Sequence, residues 1–134
     1  MTTIWVLQSE LKYDIKESYV RCEHPIVLGA YRSYEDVKAA SYFYFRRFLK
    51  MFENQDLRIK LDVNWGFGPS GEVLERFLNK LGFQTESKPS NWGPEITKCI
   101  VPIGLSEKLT EHQLESLIIR SSPKLYQFDE IELT

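Results

Sequence analysis

Few residues in this chain have types and spacings that could carry chemistry. The most specific string is Gly66-Phe67-Gly68-Pro69-Ser70-Gly71, which matches G-x-G-x-x-G and stands before a helical pattern; Glu86 follows Gly66 by twenty residues. Glycines so spaced let backbone amides close on a pyrophosphate at a helix N-terminus, and an acid at that distance takes a ribose hydroxyl. Gly66, Gly68, Gly71 and Glu86 are therefore the candidate cofactor-binding set of a nucleotide- or CoA-binding enzyme. Three features oppose this. The preceding segment alternates with Arg58, Lys60 and Asp62, where a central parallel strand is a continuous apolar run. Glu75 stands one turn into the helix, where such motifs place a small residue against the sheet. Too little chain follows for the remaining parallel strands, and no Lys-Ser/Thr pair makes it a P-loop. The plainer reading is a turn with a Ser70 cap, and no cofactor is expected.

Metal and nucleophile chemistry fare less well. Cys22 and His24 are two apart, and the other Cys and His are Cys99 and His112. Neither pair has the C-x₂₋₄-C or H-x₃₋₅-H spacing of a zinc site. Ser70 lacks the flanking glycine of a nucleophile elbow. Nineteen Asp and Glu are spread along the chain without an acidic cluster on an apolar face. No catalytic residue and no metal ligand is assigned.

The helix opening at Ser33 is more informative. At about 100° per residue, Val37, Ala40, Ser41, Tyr44, Phe45, Phe48, Leu49, Met51 and Phe52 fall on one broad arc. Phe43 falls on the opposite face, with Arg46, Arg47 and Lys50 at i+3, i+4 and i+7. Either the protein's own chain, from residues 11–23 or 84–95, covers Phe43, or the four residues Phe43, Arg46, Arg47 and Lys50 are a contact site. Arg and aromatic residues are typical interface anchors.

These groups must be positioned by the following elements. Ile4 to Leu7 reads as a strand covered on both faces, Leu11 to Glu23 as a charged excursion, and Ile26 to Tyr31 as a second strand. Ser33 and Asp36 have capping-box spacing, and the first helix runs to about Glu53, ending at Asn54. Leu57, Ile59, Leu61 and Val63 alternate with polar residues as a half-buried strand does. Val73, Leu74, Phe77, Leu78 and Leu81 line a second helix stopped by Gly82. Residues 84–95, with Pro89, Asn91, Gly93 and Pro94, read as loop. Cys99 to Ile103 is a strand, Thr110 and Gln113 cap a third helix, and Leu125 to Leu133 closes the chain as a strand. The expectation is one α+β domain over residues 1–134, with a single mixed, mainly antiparallel sheet of about five strands packed by three helices.

The bounds agree. A chain of 134 residues, 43% hydrophobic and 27% charged, is long and apolar enough for its own core. Seventeen Lys and Arg against nineteen Asp and Glu leave a net charge of −2, so no global field draws in nucleic acid or anionic lipid. No apolar run approaches the roughly 18 residues of a membrane span, and no signal-peptide pattern opens the chain. With two cysteines read as reduced thiols, a cytoplasmic location is expected.

Ile4 to Leu7, then Gly29-Ala30-Tyr31-Arg32-Ser33, and the closing Phe128-Asp129-Glu130-Ile131-Glu132-Leu133 carry a resemblance. A short aliphatic strand, a charged stretch, a Gly-x-Tyr-x-Ser segment entering a helix, and an acidic last strand resemble small uncharacterised bacterial and phage-type α+β proteins. The resemblance supports the fold and implies no function.

The leading expectation is thus a non-enzymatic binding or regulatory module whose partner is a protein with an acidic surface, or a second copy of the chain. A nucleotide- or CoA-binding enzyme is the alternative. Nucleic-acid binding through Arg46, Arg47 and Lys50 ranks last, because three charges supply only a modest counterion-release contribution.

Overall fold

The computed structural model describes residues 2–14, 19–57, 71–91, 93–121 and 124–133. Two long strands, β1 (Thr2–Asp14) and β2 (Tyr19–Tyr31), pair antiparallel from Trp5↔Tyr31 out to Asp14↔Tyr19. The register shifts between Leu7 and Gln8 and again between Ser9 and Leu11. The last strand, β5 (Gln127–Leu133), pairs with the other side of β1, giving the order β2-β1-β5. The described parts of the charged stretch at 11–23 are therefore strand and not an excursion. Leu11 to Asp14 and Tyr19 to Glu23 are the far arms of the hairpin. Once the apolar Ile4–Leu7 segment sets the register, backbone pairing carries polar residues along without apolar alternation.

The apolar run Ile4-Trp5-Val6-Leu7, rich in strand formers, suits β1 to the central position. Paired residues share a face of the sheet. Leu7 and its neighbours Trp5 and Phe128 face α1 (Tyr34–Met51), and Leu7 is fully buried.

A second sheet of two strands holds β3 (Gln84–Lys88) against β4 (Glu95–Ile100). The described strands thus form two antiparallel sheets instead of one five-stranded sheet, and the 84–95 segment contains a strand. Gln84-Thr85-Glu86-Ser87-Lys88 has no apolar residue, so neither period nor propensity betrays it. Its pairing follows β4, which buries Ile96 and Cys99, and the exposed cross-strand pairs Glu86–Lys98 and Lys88–Glu95 agree with that register. The expected strand from Leu57 lies outside the described residues beyond Leu57 itself.

Four helices are described where three were expected. Ser33 caps α1 by accepting from the Asp36 amide at 3.1 Å. The helix α2 (Glu72–Leu81) starts after Gly71, and Gly82 ends it at φ 113°. A single turn, α3 (Leu105–Lys108), follows Gly104 and is too short to show a period. The last helix, α4 (Glu111–Arg120), carries the expected capping box of Thr110 and Gln113. Their apolar faces meet in one cluster, built on Phe45, Phe48, Leu49 and Phe52 of α1, Leu74 and Leu78 of α2, and Leu114 and Leu117 of α4. Phe77 packs at its rim beneath the Arg120 guanidinium, 4.4 Å from the ring centroid. Among the described residues no helix is long and apolar enough to cross a membrane.

Candidate functional site

The outward face of α1 places the four anchor residues differently from one another. Phe43 is 57% exposed, so the described residues leave it largely uncovered. The Arg47 guanidinium lies over its ring, 5.6 Å from the centroid, and Tyr44 meets it edge-on at 5.9 Å. Arg46 and Lys50 turn instead toward α3. Arg46 Nη1 donates to the Ser106 carbonyl at 2.6 Å, and Lys50 Nζ pairs with Glu107 at 3.2 Å. A one-turn helix leaves most of its carbonyls without intrahelical partners, and Arg46 satisfies that of Ser106. Met51, expected on the inward arc, is 44% exposed. Positions 43, 47 and 51 are four apart, so Phe43, Arg47 and Met51 form one stripe down the helix.

The nucleotide-binding set is not gathered by the described structure. Gly66 and Gly68 lie outside the described residues. Gly71 is the N-cap of α2 at φ 145°, and a side chain built there meets nothing within 4 Å. Glu86 stands exposed in β3, 3.9 Å from Lys98. Cys99 is buried in β4, while His24 and His112 are exposed on separate elements.

A cleft of about 240 Å3 opens where α1, α4 and the start of β5 meet. Tyr34, Lys38 and Tyr42 come from one stripe of α1, Glu115 and Ile119 from α4, and Phe128 from β5. Tyr42 Oη donates to Glu115 Oε2 at 2.9 Å, and the Ser41 hydroxyl donates to the Tyr126 carbonyl at 2.7 Å. Lys38 Nζ sits 5.5 Å from the Tyr34 ring centroid. Tyr34 and Phe128 meet at 71° with centroids 5.8 Å apart, and Trp5 packs edge-on against both.

Tyr126 holds the floor of the cleft at φ 40°, a conformation that costs a non-glycine residue about 1–3 kcal/mol. The Ser41 hydrogen bond and stacking on Tyr44, at 6.0 Å and 18°, keep it there. Burial pushes the Tyr42 hydroxyl well above the usual tyrosine range. Its hydrogen bond to Glu115 and the negative charges of Glu115 and Glu111 push the same way. Tyr126 is also pushed up, by burial first and by Tyr44 second, against the opposing charge of Arg47.

Sequence reasoning missed this cleft. The signal available to it is the spacing of Tyr34, Lys38 and Tyr42, which share one helix stripe at four-residue intervals. Its other wall comes from residues more than seventy positions away.

No protein-family model, curated protein or solved structure matches the chain.

Proposed function

We propose that the protein is a small non-enzymatic binding module, and that the outward face of α1 is its protein-contact surface. The observation that carries this reading is the exposure of Phe43 beneath the Arg47 guanidinium. A rigid helix presenting an aromatic ring, a cation and the flexible Met51 side chain supplies burial, orientation and adaptability together. Arg46 and Lys50 brace this surface from behind by tying α1 to α3. With the exposed Arg47 cation beside Phe43, the surface favours an acidic partner. A second copy is the weaker partner. Of the carboxylates available across a two-fold, Glu53 already accepts the Ser106 hydroxyl at 2.8 Å.

The test is site-specific photocrosslinking from position 43 in the native host, followed by the paired substitution Phe43→Ser and Arg47→Glu. The expected result is one crosslinked acidic protein, lost in the double variant, whose melting temperature stays within the small range of surface changes, about 0.5 kcal/mol. Binding should weaken as salt rises. An unfolded double variant, or crosslinking indifferent to the substitutions, would overturn the proposal.

A further inference from the structure

The cleft between α1, α4 and β5 has a chemical bias of its own. Two of its hydroxyl donors are already committed, Tyr42 to Glu115 and Ser41 to the Tyr126 carbonyl. The Glu115 carboxylate accepts the Tyr42 hydroxyl through Oε2, and its residue is exposed at the cleft rim. Glu111, one turn earlier on α4, adds a second negative charge close enough to act on Tyr42. The walls are aromatic: Tyr34 and Phe128 stand at 71° to each other, forming two sides of a corner, with Ile119 as an apolar lip. Aromatic faces beside a carboxylate attract organic cations through the ring quadrupole and the full charge together.

The molecule itself illustrates the attraction. Lys38 Nζ already lies 5.5 Å from the Tyr34 centroid, so an ammonium occupies one face of the corner. The volume, about 240 Å3, is below the roughly 300–1,000 Å3 of sites for whole drug-sized ligands and suits a single head group.

We propose that this cleft is a binding site for an organic cation, an alkylated ammonium head group, held between the Tyr34 and Phe128 rings and the Glu115 carboxylate, with Lys38 as the resident cation it displaces. The head group belongs to a free small amine or to a methylated lysine side chain; both present the same chemistry.

The test is titration of the 15N-labelled protein with tetramethylammonium, followed by amide shifts. The neutral isostere neopentane-type alcohol 2,2-dimethylpropanol and the anion acetate are the controls. Saturable shifts confined to residues around Glu115, Tyr126 and Phe128 are expected for tetramethylammonium alone. Glu115→Gln should weaken binding at least tenfold. Lys38→Met should tighten it, because the competing ammonium is gone. Glu115 and Lys38 lie at the rim, so both variants should fold as the parent does, and their unchanged spectra away from the cleft check this. A short peptide carrying trimethyllysine, compared with choline, separates the two sources: tighter binding of the peptide points to a protein side chain, tighter binding of choline to a free amine. Acetate binding lost in Lys38→Met, equal shifts from the neutral alcohol, or no saturable shift with any cation would each overturn the proposal.

Discussion

Single side chains here are tuned by what surrounds them more than by their own type. Tyr42 and Tyr126 are ordinary tyrosines in the sequence. In the fold both hydroxyls hold their protons more tightly than in an unfolded chain, chiefly through burial. The sign of the consequence follows from linkage. A group whose folded pKa is raised contributes stability that is complete below the unfolded value, about 10 for tyrosine, and is lost as pH climbs beyond it. Urea midpoints should therefore be flat with respect to these groups at neutral pH and fall on the alkaline side of about pH 10. Tyr42→Phe and Tyr126→Phe should each make that alkaline fall shallower, Tyr42→Phe at the cost of one hydrogen bond, about 1 kcal/mol at neutral pH. A slope unchanged in both variants would show that neither hydroxyl is held this way. The Ser41 hydroxyl is a similar case. It reads as a polar interruption of an apolar arc, yet it is buried and donates to the Tyr126 carbonyl.

At the scale of elements, the joints are set by a few backbone positions. Gly82 ends α2 at φ 113°, and a Cβ built there lies 2.7 Å from Leu105 Cδ1. The left-handed backbone favours glycine, and the Leu105 side chain of α3 occupies the space a Cβ would take. Gly82→Ala should lower stability by about 1–3 kcal/mol, read as a reduced melting temperature. Leu105 is a flexible side chain and can relieve part of the clash, so Gly82→Ala combined with Leu105→Ala separates the two causes. If the double variant regains nothing, backbone strain accounts for the loss; Leu105→Ala alone supplies the core-truncation baseline. The same joint bears on the proposed contact surface. Because α3 is placed against α1, Arg46 and Lys50 find partners within the molecule, and Arg47 is left facing outward.

At the scale of the whole molecule, the three-stranded sheet has two edges, β2 and β5. From Asp129 to Leu133, β5 is exposed at every residue, and Asp129, Glu130 and Glu132 sit within it. Like charges along an exposed edge discourage pairing with another copy. Replacing Glu130 and Glu132 by Val should promote edge-to-edge association, seen as a concentration-dependent rise in light scattering, while far-ultraviolet spectra of the dilute protein stay the same. Retained monomer at high concentration would show that the edge is protected in some other way.

By itself the sequence determined the elements whose signals are local. Ser33 capping α1, the Thr110–Gln113 box, the Gly82 stop and the apolar run at Ile4–Leu7 each depend on residues within one turn or one strand, so neighbours in sequence suffice to read them. It also isolated Phe43 from the inward arc of α1, because helical geometry alone places that residue on the far side. The rest depends on contacts between residues far apart in the chain. The strand at 84–88 contains no apolar residue and exists through β4. The single turn at 105–108 is shorter than any readable period, yet it supplies the partners of Arg46 and Lys50. The division into two sheets depends on which edges meet, a long-range choice that no window of sequence contains. The cleft was hidden for the same reason. Tyr42 and Glu115 lie 73 positions apart, and their hydrogen bond arises only when α1 and α4 bury their apolar faces against a common core.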